Sequence, residues 1–267
     1  MIVGVDIGAS ATKIAGLQGD NILFTHYEGS RTGSTENILT RLLLDQGTPY
    51  SEIDVLALTG VGAENDTVKQ MGFPVTIVPE IHAIGAGGTW LSGGSDAVIT
   101  SIGTGTALVL SKEGAYSHLG GTGVGGGTLC ALGAKILDVA DPLVLAEMAA
   151  HGTIGNIDLC IGDLFSGTAT LDPSLTASNL AKANPSTANS DWAIGIFNLV
   201  LEVIGSMTVL ACKAAGANKA VATGALATLP LAAGIFTRFE YFYGIPFAVA
   251  DHADCATAIG AARLASC

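Results

Sequence analysis

Positive charge and cysteine are both scarce in this 267-residue sequence, and each shortage removes a class of function. Only 11 lysines and arginines stand against 23 acidic residues, for a net charge of −12. Backbone binding to nucleic acid needs a clustered Lys/Arg surface. No nucleic-acid partner is therefore expected, and any phosphate must be handled by backbone amides and a metal. The cysteines, Cys130, Cys160, Cys212, Cys255 and Cys267, are odd in number and never spaced CxxC. No signal peptide is expected ahead of the first strand, so the expected setting is the reduced cytoplasm. Familiar chemical signatures are missing too. His26, His82, His118, His151 and His252 form no HExxH spacing, no Gly-x-Ser-x-Gly elbow occurs, and the lack of any Gly-Lys pair rules out a Walker A loop.

What the sequence has in quantity is glycine. Its 36 glycines fall in clusters rather than in a regular period, as suits a backbone that must approach a ligand closely. Hydrophobic residues make up 49% of the chain, enough for one or two domains with substantial cores. The apolar run 192–215 approaches membrane-spanning length, but Glu202 lies within it and a carboxylate is costly in lipid. A buried helix at a subunit interface is the expectation, with no membrane segment.

Hydrophobic periodicity predicts strands at 1–6, 12–17 and 21–27, a helix at 35–45, a strand at 53–59, a helix at 64–71, a strand at 75–78 and a helix at 80–91. The pattern then restarts with a strand at 96–101, a glycine turn at 102–106 and a strand at 107–111. Residues 5–12 and 100–107 share a strand, an Ile-Gly pair, a small hydroxyl-bearing loop and a second strand. Two similar halves, 1–92 and 93–267, with a junction near 92–95, are expected to face each other across a cleft in an α/β fold. Beyond the second hairpin come a glycine run at 120–127, helices at 128–139 and 142–151, and a polar surface loop with short helices at 171–190. The long helix follows, then a strand at 220–223, a helix at 226–236, a strand at 247–250 and a terminal helix from 253.

Hairpin tips built from Gly, Ala, Ser and Thr expose N–H groups and hydroxyls able to hold phosphate oxygens. One such tip is compatible with a plain tight turn; two matched tips favour phosphate. Asp6, ending the first strand, suits either Mg²⁺ or a turn cap, and Lys13 either phosphate or solvent. Residues 121–126 satisfy G-x-G-x-x-G, but the acidic residue required about twenty positions later on a second strand is met only by Asp141-Pro142, so a dinucleotide fold is rejected. The run still feeds a helix near Thr128, whose N-terminus can face a phosphate. Glu80 follows a strand and Pro79, where a carboxylate serves either the helix start or proton abstraction from an attacking hydroxyl.

Residues 4–13, Gly-Val-Asp-Ile-Gly-Ala-Ser-Ala-Thr-Lys, resemble the first phosphate loop of the type II pantothenate kinases, members of the acetate and sugar kinase, Hsp70 and actin superfamily. Residues 101–106 are similar to the second loop, 120–128 to the glycine-rich nucleotide segment and 223–225 to the adenosine-side turn. Residues 156–159 and 256–261 resemble further family segments, so the resemblance spans nearly the whole chain. It implies two actin-like (ribonuclease H-like) halves around a nucleotide cleft. The implied reaction is phosphorylation of pantothenate by ATP and Mg²⁺, giving 4'-phosphopantothenate in the first step toward coenzyme A, by a homodimer packed through the long helix. Carried over by position, the resemblance implies Asp6 for the metal and Glu80 for the catalytic base. Asp6, Gly8, Ala9, Ser10, Ala11, Thr12, Lys13, Thr104, Gly105, Gly125, Gly126, Gly127, Thr128 and Gly224 would hold the nucleotide, and Glu80, Thr104 and His118 the substrate. The sequence departs from the family at His118, where an arginine is usual, at Ala107, where some members carry a hydroxyl, and at Ala9-Ser10, where Gly-Thr is commoner. The alternatives are another small-molecule kinase of the superfamily, acting on N-acetylglucosamine or a sugar, and an ATPase activating a dehydratase, which would need clustered cysteines.

Overall fold

The computed structural model describes residues 1–29, 33–64, 67–94, 96–164 and 171–266. A hairpin opens the chain: β1 (Ile2–Ile7) and β2 (Ala11–Gln18) pair antiparallel, and β3 (Asn21–Gly29) continues the meander. Helix α1 (Thr35–Asp45) follows, and the Ser34 side chain caps it by accepting from the Asn37 N–H. Its Ile38, Leu39, Leu42 and Leu43 recur at helical spacing and bury themselves on Val3, Val5 and Ile7. Strands β4 (Val55–Thr59) and β5 (Val75–Ile77) then run parallel to β1, giving a sheet of order β3-β2-β1-β4-β5. Helix α2 (Glu80–Leu91) leads out of it.

The second half repeats this plan. Strands β6 (Ala97–Ile102), β7 (Thr106–Lys112) and β8 (Ala115–Thr122) form its meander. Helices α3 (Gly126–Leu137) and α4 (Pro142–Ala149) follow, and then a small ribbon of β9 (Leu159–Cys160) and β10 (Thr176–Ser178) with α5 (Ile161–Leu164) after its first strand. Next come α6 (Asn189–Ala215), β11 (Ala220–Thr223), α7 (Pro230–Tyr243), β12 (Phe247–Ala248) and α8 (Ala256–Leu264). The second sheet has the order β12-β11-β6-β7-β8.

Helices α2 and α8 form the layer between the sheets, and small residues let them do so. A Cβ at Gly87 would overlap the Ala256 carbonyl, and one at Gly260 the Ala83 carbonyl, so the two helices touch backbone to backbone. Gly4 admits α8 to the first sheet in the same way, while Gly88 admits Ile99 of the second sheet to α2.

Helix α6 is the one helix among the described residues long and apolar enough to cross a membrane, and most of its most apolar 18-residue stretch is buried in this fold. Phe197, Val200, Leu201 and Ile204 supply the core of the second half. Glu202 accepts hydrogen bonds from Thr176 Oγ1 (2.7 Å) and Asn179 Nδ2 (2.9 Å), which tie the ribbon to the helix.

Several elements differ from the expected ones. Strand β8 is not among the expected elements, and only its last residues, 120–122, fall in the expected glycine run. Glycine has little intrinsic strand preference, yet Gly121 is needed here because a side chain would meet the Thr106 carbonyl across the ladder. The helix expected at 64–71 is a single 3₁₀ turn at Thr67–Met71, with residues 65–66 outside the described ones. The helix expected at 226–236 is a 3₁₀ turn at Ala225–Thr228 followed by α7, because Pro230 holds Leu229 extended and starts a new helix. The polar loop at 171–190 contains β10. At the expected junction, Gly93 and Gly94 turn the chain with positive φ, and Ser95 lies outside the described residues, as does Cys267.

Candidate functional site

The ends of β2, β1 and β4 place Lys13, Asp6 and Thr59 in one row, since Lys13 and Thr59 are both in register with Asp6. Neighbours directly opposite each other in a sheet share a face. Gly4, two residues before Asp6, lies against Ala258, so this face looks toward α8. Lys13 Nζ donates to Asp6 Oδ2 at 2.9 Å, with both side chains largely buried. Burial alone would lower the Lys13 pKa; the Asp6 charge and hydrogen bond outweigh it and hold the ammonium above its ordinary value. The carboxylate is enclosed further by Gly60, whose φ of 88° and imagined Cβ, 2.5 Å from Asp6 Oδ1, leave room for no side chain.

The first loop closes with Gly8 N–H donating to the Ala11 carbonyl at 3.0 Å, which leaves Ala9 and Ser10 exposed at its tip. Ala11 and Thr12 are buried in β2, so any contact they make with a ligand is through the backbone. In the second loop Gly103 N–H donates to the Gly105 carbonyl at 2.8 Å. The two loops meet, because Ser10 Oγ and Thr104 Oγ1 are 2.7 Å apart.

The glycine run packs onto the second loop. Gly126 N–H donates to the Gly103 carbonyl (2.8 Å) and Gly127 N–H to the Thr104 carbonyl (2.9 Å). Two amides expected to face phosphate are therefore turned toward loop carbonyls and brace the loop. Gly125 fits against it so closely that a Cβ would lie 2.7 Å from the Thr104 carbonyl oxygen and 2.8 Å from Gly105. Thr128 caps α3 locally, accepting from Gly125 N–H (3.3 Å) and donating to the Gly123 carbonyl (3.1 Å). Gly224 reaches the same edge. Its N–H donates to the Ala253 carbonyl at 2.7 Å, its φ is 96°, and a side chain would collide with the Ile102 carbonyl where β6 enters the second loop.

Glu80 opens α2 directly after Pro79. Its carboxyl is accessible, yet partial burial and then the Asp6 charge push its pKa above the ordinary glutamate value, with Lys13 pulling the other way. Glu80 thus feels both members of the ion pair. His118 is exposed on the edge strand β8, opposite Val109. Two residues earlier, Tyr116 lies against Gly85 and His82 of α2. Strand alternation puts His118 on that face, the one nearer the helix that begins with Glu80. Ala107 packs there too, against the cluster containing Ile84.

Sequence reasoning missed Thr59 and Gly60. A signal existed, because Thr59-Gly60 ends β4 as Thr223-Gly224 ends β11, and each glycine has positive φ against an isoleucine carbonyl, Ile7 or Ile102. The repeat of the two halves thus extends beyond the hairpins.

Comparison with known proteins agrees with this fold. The Fumble family model matches residues 97–228. A type II pantothenate kinase of Bacillus thuringiensis subsp. konkukian is 26% identical over 219 residues, covering 78% of this chain and 76% of that one. One of Staphylococcus aureus is 28% identical over 226 residues, covering 80% of each. Among solved structures, the activator of 2-hydroxyisocaproyl-CoA dehydratase from Clostridium difficile with bound ADPNP superposes with a TM-score of 0.70 at 20% identity, covering 99% of this chain and 93% of that one. That likeness establishes an actin-like fold. Over about four fifths of its length the chain is similar in sequence to type II pantothenate kinases.

Proposed function

We propose that the protein transfers the γ-phosphoryl group of ATP to the hydroxyl of pantothenate, giving 4'-phosphopantothenate, the first step toward coenzyme A. The observation that carries this reading is the meeting of two matched hairpin loops at Ser10 and Thr104, beside the Lys13–Asp6 pair and Glu80. Small-residue tips and the start of α3 suit a nucleotide polyphosphate. Among the described residues no group of three or more His, Cys, Asp and Glu could hold a metal by itself. A lone Asp6 suits Mg²⁺, which commonly takes one or two carboxylates and completes its shell with water and phosphate oxygens. When bound, Mg²⁺ would neutralise charge on the transferring phosphate.

In this scheme Asp6 holds the metal side, Lys13 turns from Asp6 to the phosphates, and the loops position the nucleotide. Glu80 takes the proton from the attacking hydroxyl, and its raised pKa makes it a stronger base than an ordinary glutamate. Thr104 and His118 would contact the acceptor, and Gly224 the adenosine side. The division into 1–92 and 93–267 belongs to the same proposal. So does a homodimer formed through α6, whose Leu210 is 65% exposed. A cytoplasmic setting, without membrane or nucleic-acid partners, is supported by the net charge and by four free cysteines among the described residues. Coupled ADP release with pantothenate, pantetheine and N-acetylglucosamine tests the reading. Turnover with pantothenate is expected, and turnover with N-acetylglucosamine alone would overturn it.

A further inference from the structure

Thr59 is fully buried, and among the described residues its Oγ1 is the one buried side-chain nitrogen or oxygen with no hydrogen-bond partner. Buried hydroxyls are nearly always paired, so an orphan needs an explanation. Its location offers one. Thr59 is the last residue of β4, in register with Asp6 and on the side of Asp6 away from Lys13. Neighbouring strands lie about 4.8 Å apart, which brings a hydroxyl donor and a carboxylate on the same face within reach of each other. Gly60 then presses the chain against the same carboxylate, so Asp6 has little freedom to turn elsewhere.

In this structure Lys13 satisfies Asp6 at 2.9 Å. If Lys13 leaves for a phosphate, the carboxylate loses its donor and the adjacent Thr59 hydroxyl is unengaged. We propose that Thr59 is a positioning residue for Asp6, its Oγ–H donating to the carboxylate once Lys13 turns to the nucleotide and so fixing Asp6 for the metal. Carboxylates that ligate metals are themselves usually held by such outer hydrogen bonds, whose loss weakens metal affinity by about 10–100-fold. The inference rests on the kinase reading above.

The test is calorimetric titration of the full chain with ADP, with Mg²⁺ and with EDTA, alongside melting of the free protein. Thr59→Val keeps the shape and removes the donor. It should weaken Mg²⁺-dependent ADP binding by about tenfold or more, leave binding in EDTA unchanged, and melt at or above the wild-type temperature, since no existing hydrogen bond is lost. Thr59→Ser should restore the Mg²⁺-dependent binding. Should Thr59→Val not fold, Thr59→Ser and Thr59→Ala give the same comparison. Wild-type-like Mg²⁺-dependent binding in the variant lacking the hydroxyl would overturn the proposal. So would equal losses with and without Mg²⁺, or a hydroxyl-dependent fall in melting temperature. If the wild type itself shows no Mg²⁺-dependent ADP binding, the kinase reading fails and this inference with it, an outcome distinct from a defect confined to the variants.

Discussion

Ser10 and Thr104 stand hydroxyl to hydroxyl at 2.7 Å although 94 residues separate them. Each lies at the tip of the hairpin loop that opens its own half of the molecule, the first closed by Gly8 on Ala11 and the second by Gly103 on Gly105. A phosphate entering between the loops competes for both hydroxyls. Double-mutant cycles on Ser10→Ala and Thr104→Ala should give a coupling of about 0.5–1.5 kcal/mol in the free protein, falling toward zero in saturating nucleotide. Coupling that nucleotide leaves unchanged would mean the loops stay bonded and the phosphates lie elsewhere.

Glu80 links the chemistry to pH. Partial burial, then Asp6, raises its pKa, and Lys13 lowers it. A base works when deprotonated, so kcat/KM should rise with pH along an acid limb displaced above the ordinary glutamate value. Glu80→Gln should remove that limb and cut kcat by about 10²–10⁴. Lys13→Met removes the charge that favours the carboxylate and should move any residual acid limb to higher pH. Near-normal turnover in Glu80→Gln would contradict the assignment.

The same shift has a stability sign. A carboxyl whose folded pKa is raised binds its proton more tightly in the folded state than in the unfolded one. Its contribution is favourable at low pH and is lost as pH rises through the unfolded and then the folded value. Glu80→Gln should therefore gain stability relative to wild type on going from acid to neutral pH, as melting curves across that window would show. An unchanged difference would mean that the environment of Glu80 does not penalise its charge.

Two neighbouring glycines separate packing from access. Gly125 has no space for a methyl group, with Thr104 and Gly105 backbone atoms at 2.7–2.8 Å, whereas nothing lies within 4 Å of the same position on Gly123. Gly125→Ala should displace the second loop, lowering both the melting temperature and nucleotide affinity. Gly123→Ala should leave stability within about 0.5 kcal/mol of wild type. Equal melting temperatures for the two variants would show that the run does not brace the loop.

Much of this site was legible because its chemistry is local in sequence. The loop at 8–11 is set by a six-residue β1, Gly8 and a small-residue tip, and Glu80 by a strand, a proline and a helix start. Helix α1 matches its expected bounds because its Ser34 cap and apolar spacing agree, and α2 because Pro79 and Glu80 mark its start. The illegible parts depend on distant backbone. Gly121 reads as a loop residue until Thr106 is seen opposite it, and Gly126 and Gly127 read as phosphate donors until Gly103 and Thr104 take their amides. Thr59 is an ordinary strand residue until register sets it beside Asp6.

The acceptor end of the cleft turns on His118. Pantothenate carries a carboxylate, for which arginine offers a fixed charge and a two-pronged donor, whereas an imidazole offers at most two donors pointing apart. The exposed edge of β8 leaves room for a longer side chain at this position. His118→Arg should therefore lower KM for pantothenate, by about tenfold if a charge-assisted hydrogen bond of about 1.5 kcal/mol is gained, with melting temperature unchanged. His118→Ala should raise KM if the residue touches the carboxylate, and lower kcat instead if it touches the transferring phosphate. If neither variant moves either constant, His118 plays no part in acceptor binding, and recognition of the acceptor rests on Glu80 and Thr104.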